Sequence, residues 1–209
     1  MVSNKFHGLN KSLSLDKIRQ SVDNHVPDRR TPGKNSRQAA VATILRPTRD
    51  HIQALFILRA IKEGDPWSGH MAFPGGHKDE TDESLRHTAE RETLEEIGLD
   101  LVQHGSYLGE LNSVVANPRG RDMVVTPFLY ELKTSDAPLA PNEEVADVLW
   151  GSLDEMMNGS TSMIKEFPVV GRQQEFPGFG VEGEIVWGLT YRVLEHLFTL
   201  LDPGWSNGA

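Results

Sequence analysis

The stretch FPGGHKDETDESLRHTAERETLEEIGL, Phe73–Leu99, decides the fold and the chemistry of this 209-residue chain. Its pattern predicts a helix from about Asp82 to Ile97, and Gly98 lies where a glycine commonly ends a helix. At about 100° per residue, the last turns of this helix place several carboxylates within an arc of about 100°, namely Glu92, Glu95 and Glu96.

Two of these carboxylates have no basic residue one turn away on the helix. Glu95 lies four residues after Arg91, whereas Glu92 and Glu96 are four residues apart and repel each other. The same stripe is apolar at Ala89, which favours the wall of a cleft. Clustered, partly buried carboxylates require a counter-cation, and oxygen ligands suit Mg²⁺ or Mn²⁺. Lys or Arg side chains from elsewhere in the fold would explain the three glutamates equally well.

A wider set of spaced residues resembles the Nudix box, the loop–helix–loop signature of Nudix hydrolases: Gly76, Arg91, Glu92, Glu95, Glu96 and Gly98. The resemblance implies an α+β fold, an α/β/α sandwich with a mixed β-sheet. It also implies hydrolysis of a nucleoside diphosphate linked to another group, with Mg²⁺ or Mn²⁺ as cofactor. The three glutamates would then be catalytic metal ligands, and Arg91 a structural residue that ties the helix to its loop.

The loop of this box is one residue longer than the standard pattern. Asp82 lies six residues after Gly76, while Glu83 lies eight residues before Arg91, so each meets one of the two expected spacings. We take Asp82 as the structural acid, together with Gly76, Arg91 and Gly98.

The resemblance leaves the general base open, because it is a box glutamate in some Nudix enzymes and a distant loop glutamate in others. Outside the box, the sequence offers Glu110, Glu143 and Glu144. Glu144, in PNEE just before a predicted strand, is our candidate. In the plainer interpretation each of the three is an ordinary surface or structural acid.

The segment LFILRAIKEGDPWSGHMAFPGG, residues 55–76, resembles the coenzyme A pyrophosphatase branch of the same family. Arg59-Ala60, Gly69 and the FPGG run match, as does IVWGLT at 185–190, whereas Gly64 stands in the region where that branch carries a second Arg. An Arg at this position can clamp a phosphate. The predicted substrate contacts are Arg59, Trp67, His70, Gly75, Gly76 and Arg119, with Arg121 beside the last. The plainer alternatives are a strand-end Arg, a packing Trp and solvated loop charges.

The composition limits the class of partner. The formal charge of −9 argues against nucleic-acid or anionic-membrane binding, but a small phosphorylated molecule is compatible if a metal or local Arg offsets the repulsion. The absence of Cys excludes disulfides and thiol chemistry. The N-terminus lacks the apolar region of a signal peptide, and no apolar run approaches about 18 residues, so we expect a cytoplasmic protein.

Three segments are expected: an N-terminal arm over 1–35 with a short helix near Leu13–Val22, a Nudix domain over 36–202, and a tail over 203–209. Apolar runs predict strands at AAVATIL, IQALFIL, MAF, SYLGELNSV, DMVVTPFLYEL and EVADVLW, and SLDEMM predicts a short helix. Ile185–Leu201 is expected to form one long helix. GFGVEG, Gly178–Gly183, is expected to be a flexible loop, because no buried strand precedes it as a dinucleotide site requires.

Three functions follow from these observations. The first is hydrolysis of coenzyme A or an acyl-coenzyme A to 3′,5′-ADP and (acyl-)phosphopantetheine. The second keeps the reaction but acts on ADP-ribose, a nucleotide sugar or a dinucleoside polyphosphate. The third is a Nudix module that senses a nucleotide without cleaving it, although a sensor has no need of the three carboxylates. In each case the partner is a small nucleotide diphosphate, and a homodimer is left open.

Overall fold

The structure is a computed structural model that describes residues 13–33, 36–65, 67–116, 123–169 and 172–207. Its helices are α1 (Leu15–Asp23), α2 (Leu85–Ile97), α3 (Leu101–His104), α4 (Leu153–Met157) and α5 (Gly188–Leu201). The larger sheet contains β1 (Arg37–Pro47), β2 (Ile52–Arg59), β3 (Met71–Ala72), β4 (Gly75–His77), β5 (Gly105–Glu110), β6 (Val114–Ala116), β7 (Met123–Leu132) and β8 (Val145–Ser152). A smaller sheet contains β9 (Ser162–Val169), β10 (Arg172–Val181) and β11 (Glu184–Trp187).

Strand β1 organises the larger sheet, whose main path runs β3-β2-β1-β7-β5. It pairs in parallel with β7 and antiparallel with β2 and β4, which makes the sheet mixed. Strands β1 and β2 form an antiparallel pair, with Leu45 opposite Ala54. The short β4 pairs with the first half of β1, so the Gly-Gly sequence is fixed to the centre of the sheet.

Helices cover both faces of the larger sheet. Ala40, Ala42 and Ile44 of β1 belong to a core with residues of α2 and α3, whereas Leu45 belongs to a second core with α1 and α5. A strand buried on both faces requires apolar residues at successive positions, which is what the run AAVATIL supplies. This arrangement confirms the predicted α/β/α sandwich with a mixed sheet.

Helix α1 lies where the sequence predicts a short helix, and it is packed into the body of the protein. Ile18 and Val22 are buried, and Ser14 caps the helix by accepting a hydrogen bond from the Lys17 N–H. Gly109 of β5 faces Val22 so closely that a Cβ there would overlap it. Although the sequence places residues 1–35 outside the 36–202 segment, this helix shares a core with α5.

The smaller sheet corrects two expectations. The chain from 185 to 201 is not one helix, because residues 185–187 belong to β11 and α5 begins at Gly188. The stretch from Gly178 to Gly183 is not a flexible loop, because it forms the end of β10 and the turn into β11. Glu182 and Gly183 both have positive φ, 49° and 93°, as a tight two-residue hairpin turn requires. The polar character of β9 and β10 hid this hairpin.

Two smaller elements were not predicted. The Pro-Gly-Gly break contains β4, and Asp100 caps the short helix α3 by accepting from Val102 and Gln103 N–H. Among the described residues, none of the helices combines the length and the apolar composition needed to cross a membrane.

We expect Ile18→Ala to lower the free energy of unfolding by about 2–5 kcal/mol, because it removes a fully buried side chain at the junction of α1 with the body. Urea denaturation monitored by circular dichroism measures this difference, and Gln20→Ala on the exposed face of α1 is the matched control. An Ile18→Ala protein as stable as the control would show that α1 contributes no packing energy.

Candidate active site

Helix α2 is fixed at both ends, which determines where its carboxylates point. Ser84 caps the N-terminus by accepting from the His87 N–H at 3.1 Å. Gly98 ends the helix in the left-handed conformation (φ 67°), and a Cβ there would lie 2.8 Å from that of Ala140. The predicted function of Gly98 as a structural residue of the box is consistent with this close contact.

Glu92 and Glu96 lie against the two glycines of β4. The Gly75 N–H donates to Glu96 Oε2 at 2.8 Å. At Gly76, a Cβ would lie 2.5 Å from the carboxyl carbon of Glu92 and 2.6 Å from both of its oxygens. The absence of a side chain at Gly76 therefore creates the space into which Glu92 projects, whereas the absence of one at Gly75 lets β4 lie against the backbone of Ala40 and Val41.

Arg91 joins the helix to its loop through Asp82. Its Nε and Nη2 donate to the two carboxylate oxygens of Asp82 at 2.9 and 3.0 Å, and Nη2 also donates to the His77 carbonyl. Asp82 is buried and accepts further from Thr88 Oγ1 and the Asp79 N–H. Hydrogen bonds from Arg91 hold the pKa of Asp82 well below its usual range, despite the opposing effect of burial. Asp82, rather than the exposed Glu83, is thus the acid that binds Arg91.

Arg91 is also the basic neighbour that the i±4 analysis did not find for Glu92. Its Nη1 lies 2.9 Å from Glu92 Oε1 and 3.1 Å from Glu95 Oε2. Adjacent residues on a helix do not face each other, but the long Arg side chain reaches across from its anchor on Asp82. Burial nevertheless raises the pKa of Glu92, and Arg91 opposes this rise.

The third predicted metal ligand, Glu95, lies apart from Glu92 and Glu96. The Glu95 side chain is 56% exposed and lies outside the cavity that Glu92 and Glu96 line. Within the described ranges, no three His, Asp or Glu side chains converge closely enough to enclose a metal ion. Mg²⁺ is usually held by one or two carboxylates, with water and substrate phosphates completing its shell. The oxygen donors of Glu92 and Glu96 fit a divalent ion shared with a substrate in this way.

These carboxylates line a cavity of about 1060 Å³ that lies between the two sheets. Most of the predicted site residues line this cavity, namely Arg59, Trp67, His70, Gly75, Gly76, Glu92, Glu96 and Glu144. Arg119 and its neighbour Arg121 fall outside the described residues. The wall opposite the carboxylates comes from β10, β11 and α5, whose contribution the sequence did not predict.

Glu96 is the most deeply buried of the cavity carboxylates, with 3% of its surface exposed. Burial raises its pKa to about 7, and the negative charges of Glu92 and Glu144 act in the same direction. The Gly75 N–H and Arg59 oppose this rise, the guanidinium Nη1 lying 3.8 Å from Glu96 Oε1. Of the cavity carboxylates, Glu96 is therefore the one whose charged form a bound cation would stabilise most.

Of the three candidate bases, only Glu144 lines the cavity. Glu110 is held in a bidentate ion pair by Arg29, at 2.8 and 2.9 Å. Glu143 is exposed and does not line the cavity, whereas Glu144 is half exposed and lies 3.4 Å from Lys62 Nζ.

Asn142 is a residue of this site that sequence reasoning missed. Its N–H donates to the Glu96 carbonyl and its Nδ2 to the Glu95 carbonyl, both at 2.9 Å. Its Oδ1 accepts from the Glu144 N–H at 2.8 Å. One side chain therefore ties the end of α2 to the loop that carries Glu144. From the sequence, the Asn in PNEE predicts a turn. It does not predict which groups the Asn142 side chain binds.

Asp65 is a second missed residue. It accepts from Arg59 Nη2 at 2.9 Å and from the Trp67 N–H at 3.0 Å. These hydrogen bonds lower the pKa of Asp65 although burial alone would raise it. Arg59 Nε is buried and has no hydrogen-bond partner among the described residues. Asp65 thus fixes the guanidinium at the wall of the cavity.

Comparison with known proteins agrees with this geometry. A model of the NUDIX domain matches residues 36–169, more than half of the chain. The mitochondrial coenzyme A diphosphatase NUDT8 of Mus musculus is 31% identical over 181 residues, which cover 84% of this chain and 84% of that protein. An uncharacterized protein of Schizosaccharomyces pombe is 32% identical over 167 residues, 69% of this chain, and the match spans 50% of that relative.

A solved structure shows the same fold. A MutT/nudix family protein from Enterococcus faecalis superposes with a TM-score of 0.52, covering 90% of this chain and 68% of its own, at 18% identity. Since the identity is low, this likeness concerns the fold alone.

We expect Gly76→Ala and Gly75→Ala to act differently. The Cβ at Gly76 meets the flexible end of Glu92, so Gly76→Ala should displace that carboxylate and weaken Mn²⁺ binding at least tenfold with little loss of stability. The Cβ at Gly75 meets the backbone of Ala40 at φ 147°, so Gly75→Ala should lower the melting temperature instead. Mn²⁺ titration calorimetry and thermal melting separate the two effects. Unchanged Mn²⁺ affinity in Gly76→Ala would contradict this interpretation of the glycine.

We expect Asp82→Asn to lower the free energy of unfolding by about 3 kcal/mol at pH 7, because it leaves Arg91 without its buried partner. The folded pKa of Asp82 lies below the unfolded value of about 3.9, so its contribution is complete above that pH and is lost as pH falls through the folded pKa. The stability difference between wild type and variant should therefore shrink below about pH 4. Urea denaturation at several pH values measures it, with the exposed Asp136→Asn as control. A difference that stays constant down to pH 2 would contradict the argument.

Proposed function

The chain belongs to the Nudix family, and on that basis we propose that it hydrolyses the diphosphate of coenzyme A or an acyl-coenzyme A. The products would be 3′,5′-ADP and (acyl-)phosphopantetheine. The observation that carries the proposal is the convergence of Arg59, Glu92, Glu96 and Glu144 in one cavity. The choice of coenzyme A is supported by the similarity to the mouse coenzyme A diphosphatase along most of both chains.

Nudix hydrolases use divalent metal ions, and we assign Mg²⁺ or Mn²⁺ to the side chains of Glu92 and Glu96. When bound, such an ion supplies Lewis-acid chemistry, polarising phosphoryl oxygens and making water more acidic. Glu96 is positioned for this function by Gly75 and Glu92 by Arg91. Glu95 shares the Arg91 guanidinium and contributes to the position of Glu92 rather than to the cavity.

The remaining residues of the site act directly on the substrate. Arg59, held by Asp65, donates to the diphosphate and offsets its negative charge. Glu144 accepts the proton of the water that attacks phosphorus, and the P–O–P linkage breaks to release the two phosphorylated products. Trp67 and His70 line the approach between Arg59 and the smaller sheet.

The compartment and the assembly of the protein remain predictions. The mouse relative is named as a mitochondrial protein, whereas the sequence of this chain led us to expect a cytoplasmic one. The homodimer that the sequence leaves open stays a prediction.

The function is tested by incubating the protein with coenzyme A and Mg²⁺ or Mn²⁺ and identifying the products by chromatography. We expect 3′,5′-ADP and phosphopantetheine, and Glu96→Gln should reduce turnover by at least a hundredfold, because the amide keeps the Gly75 hydrogen bond but loses the charge. Glu95→Gln should lose less, and the exposed Glu83→Gln should remain active.

Three outcomes would change the assignment. Turnover of ADP-ribose or a dinucleoside polyphosphate to AMP, with coenzyme A untouched, would replace the substrate but keep the reaction. Full activity of Glu96→Gln would exclude that residue from the site. Nucleotide binding without turnover of any compound would make the protein a sensor.

A further inference from the structure

The smaller sheet presents aromatic side chains on one of its faces. In antiparallel pairs, residues directly opposite each other point to the same side. Lys165 lies opposite Phe176, and Gly178, two residues further along β10, lies opposite Trp187. Phe167 follows Lys165 by two residues on β9, so all of these share one side. We call Lys165, Phe167, Phe176 and Trp187 the aromatic face.

Two rings of the aromatic face stack, and the third packs against them at an angle. Phe167 and Trp187 are parallel within 12°, with centroids 3.6 Å apart, and Phe176 packs against Trp187 at 5.2 Å. All three remain partly exposed. The core of this sheet lies on the opposite side, where Phe179 and Val186 are fully buried. The aromatic face is therefore not needed to complete the hydrophobic core.

The aromatic face is joined to the diphosphate end of the cavity. Phe176 and Trp187 line the same cavity as Arg59 and the carboxylates. The His70 ring contacts Trp187 edge-on at 4.8 Å, while the His70 carbonyl accepts from the Arg59 N–H at 3.1 Å. A ligand whose phosphates meet Arg59 would thus place its adjacent group against Phe176 and Trp187, the two rings that line the cavity.

Lys165 adds a positive charge beside the rings. It is exposed, and its ammonium lies 5.6 Å from the centroid of Phe167. None of the carboxylates that the structure describes forms an ion pair with it. The chain has a net charge of −9, so a lysine without a carboxylate partner is a local site of positive charge. Its position on the aromatic face favours an anionic ligand there.

We propose that the aromatic face binds the adenine of the substrate and that Lys165 binds the phosphate on its ribose. The proposal rests on the proposed function, since only a coenzyme A type of substrate carries both a base and a ribose 3′-phosphate next to a diphosphate. Stacking accepts any base, because every base has an aromatic surface. Selectivity for 3′-phosphorylated nucleotides therefore depends on Lys165.

The test is calorimetric binding of 3′,5′-ADP and of AMP, with EDTA present and no turnover. Wild type should bind 3′,5′-ADP about tenfold more tightly than AMP, and Lys165→Ala should abolish this difference without weakening AMP binding. The exposed Lys133→Ala, outside the cavity, should behave as wild type. A preference for 3′,5′-ADP that survives Lys165→Ala would overturn the assignment of the lysine.

A second variant tests the rings. Phe176→Leu keeps an apolar side chain at a partly exposed position, so folding should be retained, as circular dichroism melting would show. The substitution should weaken the binding of 3′,5′-ADP and of AMP to the same extent, by about tenfold. Unchanged affinity for both nucleotides, with weaker binding of phosphopantetheine, would overturn the proposal. It would show that the aromatic face binds the phosphopantetheine half of the substrate.

Failure of the proposed function is distinguishable from failure of this inference. Absence of coenzyme A turnover in wild type, with the expected pattern of 3′,5′-ADP binding, would overturn only the catalytic assignment. Turnover of coenzyme A with no preference for 3′,5′-ADP would overturn only the nucleotide site.

Discussion

The close approach of α2 to the glycines of β4 is the constraint on which the site depends. A carboxylate as buried as Glu96 is costly unless hydrogen bonds and cations compensate it, and the Gly75 N–H provides the first of these. Space for Glu92 exists only because Gly76 has no side chain. Since β4 is paired with the central strand β1, this arrangement is rigidly attached to the sheet.

Electrostatic compensation extends outward from this contact. Arg91 is held by Asp82 and shared with Glu92 and Glu95, so one guanidinium fixes both the loop and the outer carboxylates. Arg59 performs the corresponding function on the inner side, where Asp65 holds it near Glu96. Arg59 lowers the pKa of Glu96, but burial still leaves it raised to about 7, so this part of the cavity favours an added positive charge. A divalent ion would supply this positive charge.

The cavity is closed on its other side by elements far away in sequence. The smaller sheet and α5 follow β8 and pack against the face of the larger sheet opposite α2. Their turn at Glu182 and Gly183 reverses the chain so that Trp187 reaches His70. The carboxylates of α2 and the aromatic face therefore come from elements far apart in sequence, and the packing of the smaller sheet against the larger one sets the distance between them.

The sequence by itself determined the box helix, its glycine stop and eight of the residues that line the cavity. The helix and its stop depend on spacing along one element, where geometry follows from local periodicity. The sandwich class and the predicted cavity residues followed instead from the resemblance to the Nudix family. The sequence did not determine the partners of the carboxylates, because the side chain of Arg91 reaches an adjacent residue only once Asp82 anchors it. Nor did it determine the choice among Glu110, Glu143 and Glu144, which depends on loops meeting across the fold. The hairpin of β10 and β11 was hidden by its polar residues, since half-exposed strands are identified by their neighbours in a sheet rather than by their own composition. Local periodicity fixes which side chains share a surface, whereas only tertiary packing decides which surfaces face each other.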